Sequence, residues 1–234
     1  AGLHPGVSDS DPQLIGVPPA ELKALADEAK HTVEVSNEFL RQAKMLLADE
    51  RPANMVLVRG FGSYPQLPQF LDIYGLKALA VATYPMYRGV ATAVGMDTVA
   101  VPNDLESAYQ ALKERFADYD FAYLHVKPTD RAGEDGDFAR KVTLLEEVDS
   151  IVPRLEELAP DVLVITGDHS TPSIMRSHSW HPVPCVISSQ RVLPVPAVAF
   201  SERGCAVGSL GHINSTSLMA LALAHAGRLA KFGA

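Results

Sequence analysis

The chain has 234 residues, of which 47% are apolar and 21% charged, and a formal net charge of −8. That length holds one large domain or two small ones, and the acidic balance disfavours a nucleic-acid role, which needs a concentrated basic face. Two cysteines are too few for a secreted disulfide framework, no apolar run reaches the roughly 20 residues of a membrane span, and no leader pattern opens the chain, so a cytoplasmic protein with neither membrane nor nucleic-acid partner is expected.

Residues 1–19 read as loop, broken at Ser8-Asp-Ser-Asp-Pro12 and Pro18-Pro19. The opening Ala1-Gly-Leu-His-Pro-Gly6 is turn chemistry without a first strand, as in a chain that begins mid-protein. Helical spacing of Leu22, Leu25, Ala29, Val33, Phe39 and Leu46 predicts one long helix or two abutting ones over 21–49. A short buried strand follows at 55–58, with Arg59 at its end. Then come a helix over 66–74, a strand over 78–82, a helix over 85–94 and a strand over 98–101, an alternation that argues for α/β layers. A helix over 103–117 starts from an Asn103 cap, a strand covers 121–126, and a helix spans 138–158 with Pro153 expected to kink or split it. Strands at 161–165 and 183–187 and an amphipathic helix over 217–229 complete the pattern.

Chemistry concentrates after the strand at 161–165, in Thr166-Gly-Asp-His-Ser-Thr-Pro172, with His178 and His181 soon beyond. A carboxylate and imidazoles at a strand's end are how an α/β protein builds a metal site. The competing reading is that Asp168 caps a following helix and His169 is merely exposed beside it. No Gly-rich phosphate loop or dinucleotide fingerprint occurs, so neither ATP nor NAD is implied. Cys185 reads as an inert thiol in an apolar strand.

Those segments, with Ser177-His-Ser-Trp-His-Pro-Val-Pro184, resemble the closing metal-binding segments of the alkaline phosphatase superfamily, and more narrowly its archaeal-type cofactor-independent phosphoglycerate mutases. The resemblance extends through Arg59-Gly-Phe-Gly62, Tyr74-Gly-Leu-Lys77, Val94-Gly-Met-Asp97, His125-Val-Lys-Pro-Thr-Asp130, Gly136-Asp-Phe138 and Lys231-Phe-Gly-Ala234, nearly the whole chain. It implies an α/β fold with an alkaline-phosphatase-like layered sheet and helices on both faces. Residues 101–234 would belong to the metal-bearing core and 1–100 to part of a smaller α/β substrate-covering domain. It also implies interconversion of 2- and 3-phosphoglycerate, through a metal-activated serine and a phosphoserine intermediate, with two divalent cations: Mn²⁺, or else Zn²⁺, Co²⁺ or Mg²⁺. By motif match, Asp168 and His169 would bind one cation and Asp130 and His178 a second, while His181 stands at a non-ligand position. Arg59, Arg88, Asp9 and Asp11 fall in segments expected near the phosphoglycerate, and His125 and Lys127 on the approach to Asp130.

Two departures matter. The family has Asp-x-x-x-His where this chain reads Asp130-Arg-Ala-Gly-Glu134, so Glu134 is either an oxygen ligand in place of histidine or a solvated turn residue. The nucleophilic serine and an upstream metal-binding Asp have no counterpart here, so the chain reads as the C-terminal part of a longer protein, its N-terminal part a partner. Ser8 and Ser10 lie after the nucleophile in the family order. Another phosphatase-superfamily phosphomonoesterase or phosphomutase, or a non-catalytic metal-binding fragment, are the alternatives.

Overall fold

The computed structural model describes residues 2–64, 66–195 and 199–229; the closing Lys231-Phe-Gly-Ala234 motif lies outside them. The chain forms two compact units, Ala1–Gln66 and Leu67–Ala234.

In the first unit a helix, α1 (Lys30–Leu46), packs around Val7, Leu22, Ala29 and Leu40. It begins later than its periodicity suggests, because residues 23–25 are taken by extended pairing: Ser8 N donates to Lys23 O and Leu25 N to Gly6 O, both at 2.8–2.9 Å. No strand forms over 55–58. Its place is taken by a local tie, in which Ser10 N donates to Val58 O and Val58 N donates to the Ser10 hydroxyl, each at 2.8 Å. Ser10 is fully buried and both its backbone and side chain are used in that tie, so its role is structural.

The second unit starts with a short helix, α2 (Phe70–Tyr74), and then β1 (Ala78–Ala82), every residue of which is buried. A strand that reads Ala-Leu-Ala-Val-Ala has no polar face, and it lies between two parallel neighbours, as such strands do. These are β2 (Asp97–Ala100) and β3 (Phe121–His125), in the order β2-β1-β3, with Val81 opposite Val99 and Leu124. Parallel pairing requires crossovers. They are supplied by α3 (Pro85–Ala93) between β1 and β2 and α4 (Leu105–Arg115) between β2 and β3. The cap of α4 is Asp104, whose carboxylate accepts from Ser107 N at 2.7 Å, and not the preceding Asn103. Leu79, Val81, Ala108 and Leu112 form the core between sheet and helix, closed by Leu155 and Leu158.

After β3 the chain forms α5 (Pro128–Glu134), where the sequence predicts only a turn, and α6 (Phe138–Glu156). Pro153 does not split α6, since in the last turn it removes only one late hydrogen bond. β4 (Val162–Thr166) then pairs antiparallel with β5 (Cys185–Ser189), followed by α7 (Glu202–Cys205) and α8 (Leu218–His225). The α/β class with a helix-flanked parallel sheet is as expected. By compactness the chain divides at Gln66–Leu67, and β2 and β3, on either side of the boundary expected near residue 100, lie in one sheet. Among the described residues no helix is long and apolar enough to cross a membrane.

Candidate metal centre

Two segments meet at this centre. The first is α5, which follows β3 with Pro128 in its opening turn, where the missing N–H costs nothing. Asp130 and Glu134 stand four residues apart on it, hence on one face. The second is the connection from β4 to β5. There Ser179 N donates to Ser170 O at 2.9 Å, and this bridge folds the loop back on itself so that His169 and His178 lie side by side, ring centroids 3.8 Å apart.

The side chains converge. His178 Nε2 is 3.6 Å from Asp130 Oδ1 and 3.5 Å from Glu134 Oε1. His169 Nδ1 is 3.9 Å from Asp130 Oδ1, and its Nε2 is 3.5 Å from Asp168 Oδ2. One donor atom from each of Asp130, His169 and His178 lies within 4.8 Å of the other two. Mixed carboxylate and imidazole donors at that spread fit a divalent cation of borderline softness, so the residues present suit a metal.

The surroundings keep the carboxylates ionised. Burial would raise the Asp130 pKa, but hydrogen bonds from Lys127 and Thr171 and the Lys127 charge outweigh it, leaving the carboxyl below its ordinary value. Asp168 behaves alike: burial opposes ionisation, the Tyr87 hydroxyl and the His169 charge favour it, and the net shift is downward. The Tyr87 hydroxyl donates to Asp168 Oδ2 at 3.0 Å. Burial first, then that hydrogen bond and the Asp168 charge, push the Tyr87 phenol up to about 12. Its ring stacks on His125 at 3.8 Å. Burial also lowers the His125 pKa, only partly offset by Asp168.

Of the five expected ligand positions, Asp130, His169 and His178 cluster, with Glu134 beside His178 and Asp168 beside His169, although β3 and β4 belong to different sheets. His181 instead pairs with the Ser179 hydroxyl at 2.9 Å and stacks on Trp180. Three expected anion contacts group within the first unit. Asp9 accepts from Gly60 N at 2.9 Å, and Arg59 faces Asp11 at 3.5 Å. Arg88, in the second unit, directs Nη1 to the carbonyls of Ala82 and Thr83, so this nitrogen closes the end of β1. Sequence reasoning missed Tyr87, a lone aromatic residue on α3 with no motif around it, and Thr171, which lies inside the Asp-His-Ser-Thr string.

A profile of the Metalloenzyme superfamily matches residues 19–225. The chain belongs to the Metalloenzyme superfamily. Among curated relatives, a probable 2,3-bisphosphoglycerate-independent phosphoglycerate mutase of Thermotoga sp. (strain RQ2) is 49% identical over 233 residues. A protein of the same description from Thermus thermophilus is 44% identical over 236 residues. Each match covers 100% of this chain and 58% of the relative, so the chain spans little more than half of their length. A solved structure from Pyrococcus horikoshii superposes with a TM-score of 0.77 at 30% identity, covering 89% of this chain and 60% of that one. The cofactor-independent phosphoglycerate mutase of Thermoplasma acidophilum superposes with a TM-score of 0.61 at 25% identity, covering 97% and 60%.

Proposed function

We propose that this metalloenzyme chain carries the metal-binding half of a 2,3-bisphosphoglycerate-independent phosphoglycerate mutase, acting in the cytoplasm on 2- and 3-phosphoglycerate. The observation that carries the reading is the convergence of Asp130, His169 and His178 from two distant segments, with Glu134 and Asp168 at its margins. In this reading Asp168 and His169 hold one cation, and Asp130, His178 and Glu134 hold another, both Mn²⁺. When bound, the cations supply positive charge that favours the ionised nucleophile and neutralises the phosphoryl oxygens.

This chain's own residues orient and screen. Tyr87 and Thr171 hold Asp168 and Asp130 by hydrogen bonds of 3.0 and 2.6 Å. Arg59, with Asp9 and Asp11 fixing its loop, offers a guanidinium to the phosphate or carboxylate of the substrate. The serine that takes the phosphoryl group, its hydroxyl oxygen bonding phosphorus as the ester oxygen leaves and regains a proton, has no counterpart by motif in these 234 residues. The substrate-covering role is assigned to the N-terminal hundred residues on family resemblance.

Calorimetry and a coupled assay test the reading together. The 234-residue chain is expected to bind Mn²⁺ and to lose that binding in Asp130→Ala with His178→Ala, while giving no turnover of 3-phosphoglycerate. Unchanged Mn²⁺ binding in the double variant overturns the site. Turnover within about tenfold of a full-length relative overturns the assignment as a part without its nucleophile, because losing a nucleophile costs far more than that.

A further inference from the structure

Thr171, on the β4–β5 connection, touches an expected ligand in each metal-site segment. It is 4% exposed, and its hydroxyl donates to Asp130 Oδ1 at 2.6 Å while lying 3.1 Å from His169 Nδ1. A hydroxyl has a single proton. An ionised carboxylate only accepts, so that proton goes to Asp130, and the Thr171 oxygen is left to accept from the imidazole. His169 must then carry its hydrogen on Nδ1, which leaves Nε2 as the bare nitrogen, on the side facing Asp168 Oδ2 at 3.5 Å.

We propose that Thr171 is a positioning residue that fixes the His169 tautomer, so that Nε2 is the only nitrogen His169 presents to a cation, while the same hydroxyl holds Asp130 Oδ1 in place. The inference rests on the reading of His169 and Asp130 as ligands. Its physical basis is general: the hydrogen bond made by one ring nitrogen of a histidine decides which form the other takes. Here one hydroxyl does this for a ligand on the β4–β5 connection and orients a ligand on α5. A neutral partner suits the role, because a carboxylate in place of Thr171 would add a further negative group beside Asp130.

The test uses the whole chain with Thr171→Val, which keeps the shape but loses the hydroxyl, and Thr171→Ser, which keeps the hydroxyl. Nitrogen-15 NMR of the His169 ring at about pH 8, where an ordinary imidazole is neutral, without added metal, is expected to show the proton on Nδ1 in the wild type and in Thr171→Ser. In Thr171→Val the tautomers are expected to mix. Mn²⁺ titration is expected to show affinity reduced about 10- to 100-fold in Thr171→Val, and restored to within about threefold in Thr171→Ser, where the same hydrogen bonds re-form. A proton on Nε2 in the wild type overturns the proposal whether or not the valine variant folds. So does a folded Thr171→Val with the wild-type tautomer and affinity. A wild-type chain with Nδ1 protonated that takes up no Mn²⁺ removes the ligand reading itself, and with it this proposal. Unchanged binding in Thr171→Val alone removes only the role of Thr171.

Discussion

Replacing Glu134 probes the point at which this chain departs from the family pattern. Its Oε1 is 3.5 Å from His178 Nε2, and it stands one helical turn from Asp130 on α5, a placement that the ligand reading requires. Its side chain is nonetheless 47% exposed, which selects a water-like dielectric for its field. A carboxylate about 4 Å from a divalent cation in that medium contributes about 2 kcal/mol, or about 30-fold in affinity. Glu134→Ala is therefore expected to weaken one Mn²⁺ site by about that factor and to leave the Asp168–His169 site filled. Glu134→His trades an anionic oxygen for a neutral nitrogen and is expected to shift preference toward Zn²⁺ or Co²⁺. Isothermal calorimetry with Mn²⁺ and Zn²⁺ reads both affinity and stoichiometry. Identical curves for the wild type and both variants would refute the argument and leave Glu134 a surface residue.

Two further expectations concern the scaffold. Asp104→Ala removes the cap of α4 and should cost about 1 kcal/mol, whereas Asn103→Ala should stay within about 0.5 kcal/mol; thermal melts in which Asn103 matters more would overturn the assignment of the cap. Hydrogen bonds from Arg154, then from Gln110, hold the Glu106 carboxyl down at about 2, against an ordinary 4.5. Because the folded value is the lower one, its favourable contribution is complete above the unfolded value and is lost as the pH falls through about 2. An NMR titration of the Glu106 carboxyl with a midpoint near its ordinary value would contradict this.

Strand β1 was legible because a run of small and branched apolar residues bounded by turns has only a doubly buried position to occupy. The predicted strand over 55–58 failed because the backbone N–H and hydroxyl of Ser10 meet Val58 where a partner strand would have. Asp130, Asp168, His169 and His178 were readable as motif positions, yet their meeting depends on the Ser170–Ser179 bridge and on α5, neither of which has a local signature. Gly133 hid α5, since glycine weakens a helix. Its reason is tertiary: a Cβ there would collide with the Thr171 carbonyl oxygen and crowd Lys141 Nζ at 3.0 Å. Tyr87 reaches Asp168 across 81 residues, a separation at which periodicity carries no information.

That close approach has a mechanical side. Lys141, on α6, donates to the Thr171 carbonyl at 2.6 Å, directly over the gap that Gly133 leaves open. The Thr171–Pro172 peptide, two residues beyond His169, is thereby clamped to a pair of packed helices and shares their stability. Separating Asp130 from His169 then requires the helix pair to part from the loop, a cooperative opening and not the fraying common in surface connections. The distance from Asp130 to His169 is thus held by α5, α6 and the loop together, and in the proposed site a cation would meet donors already placed.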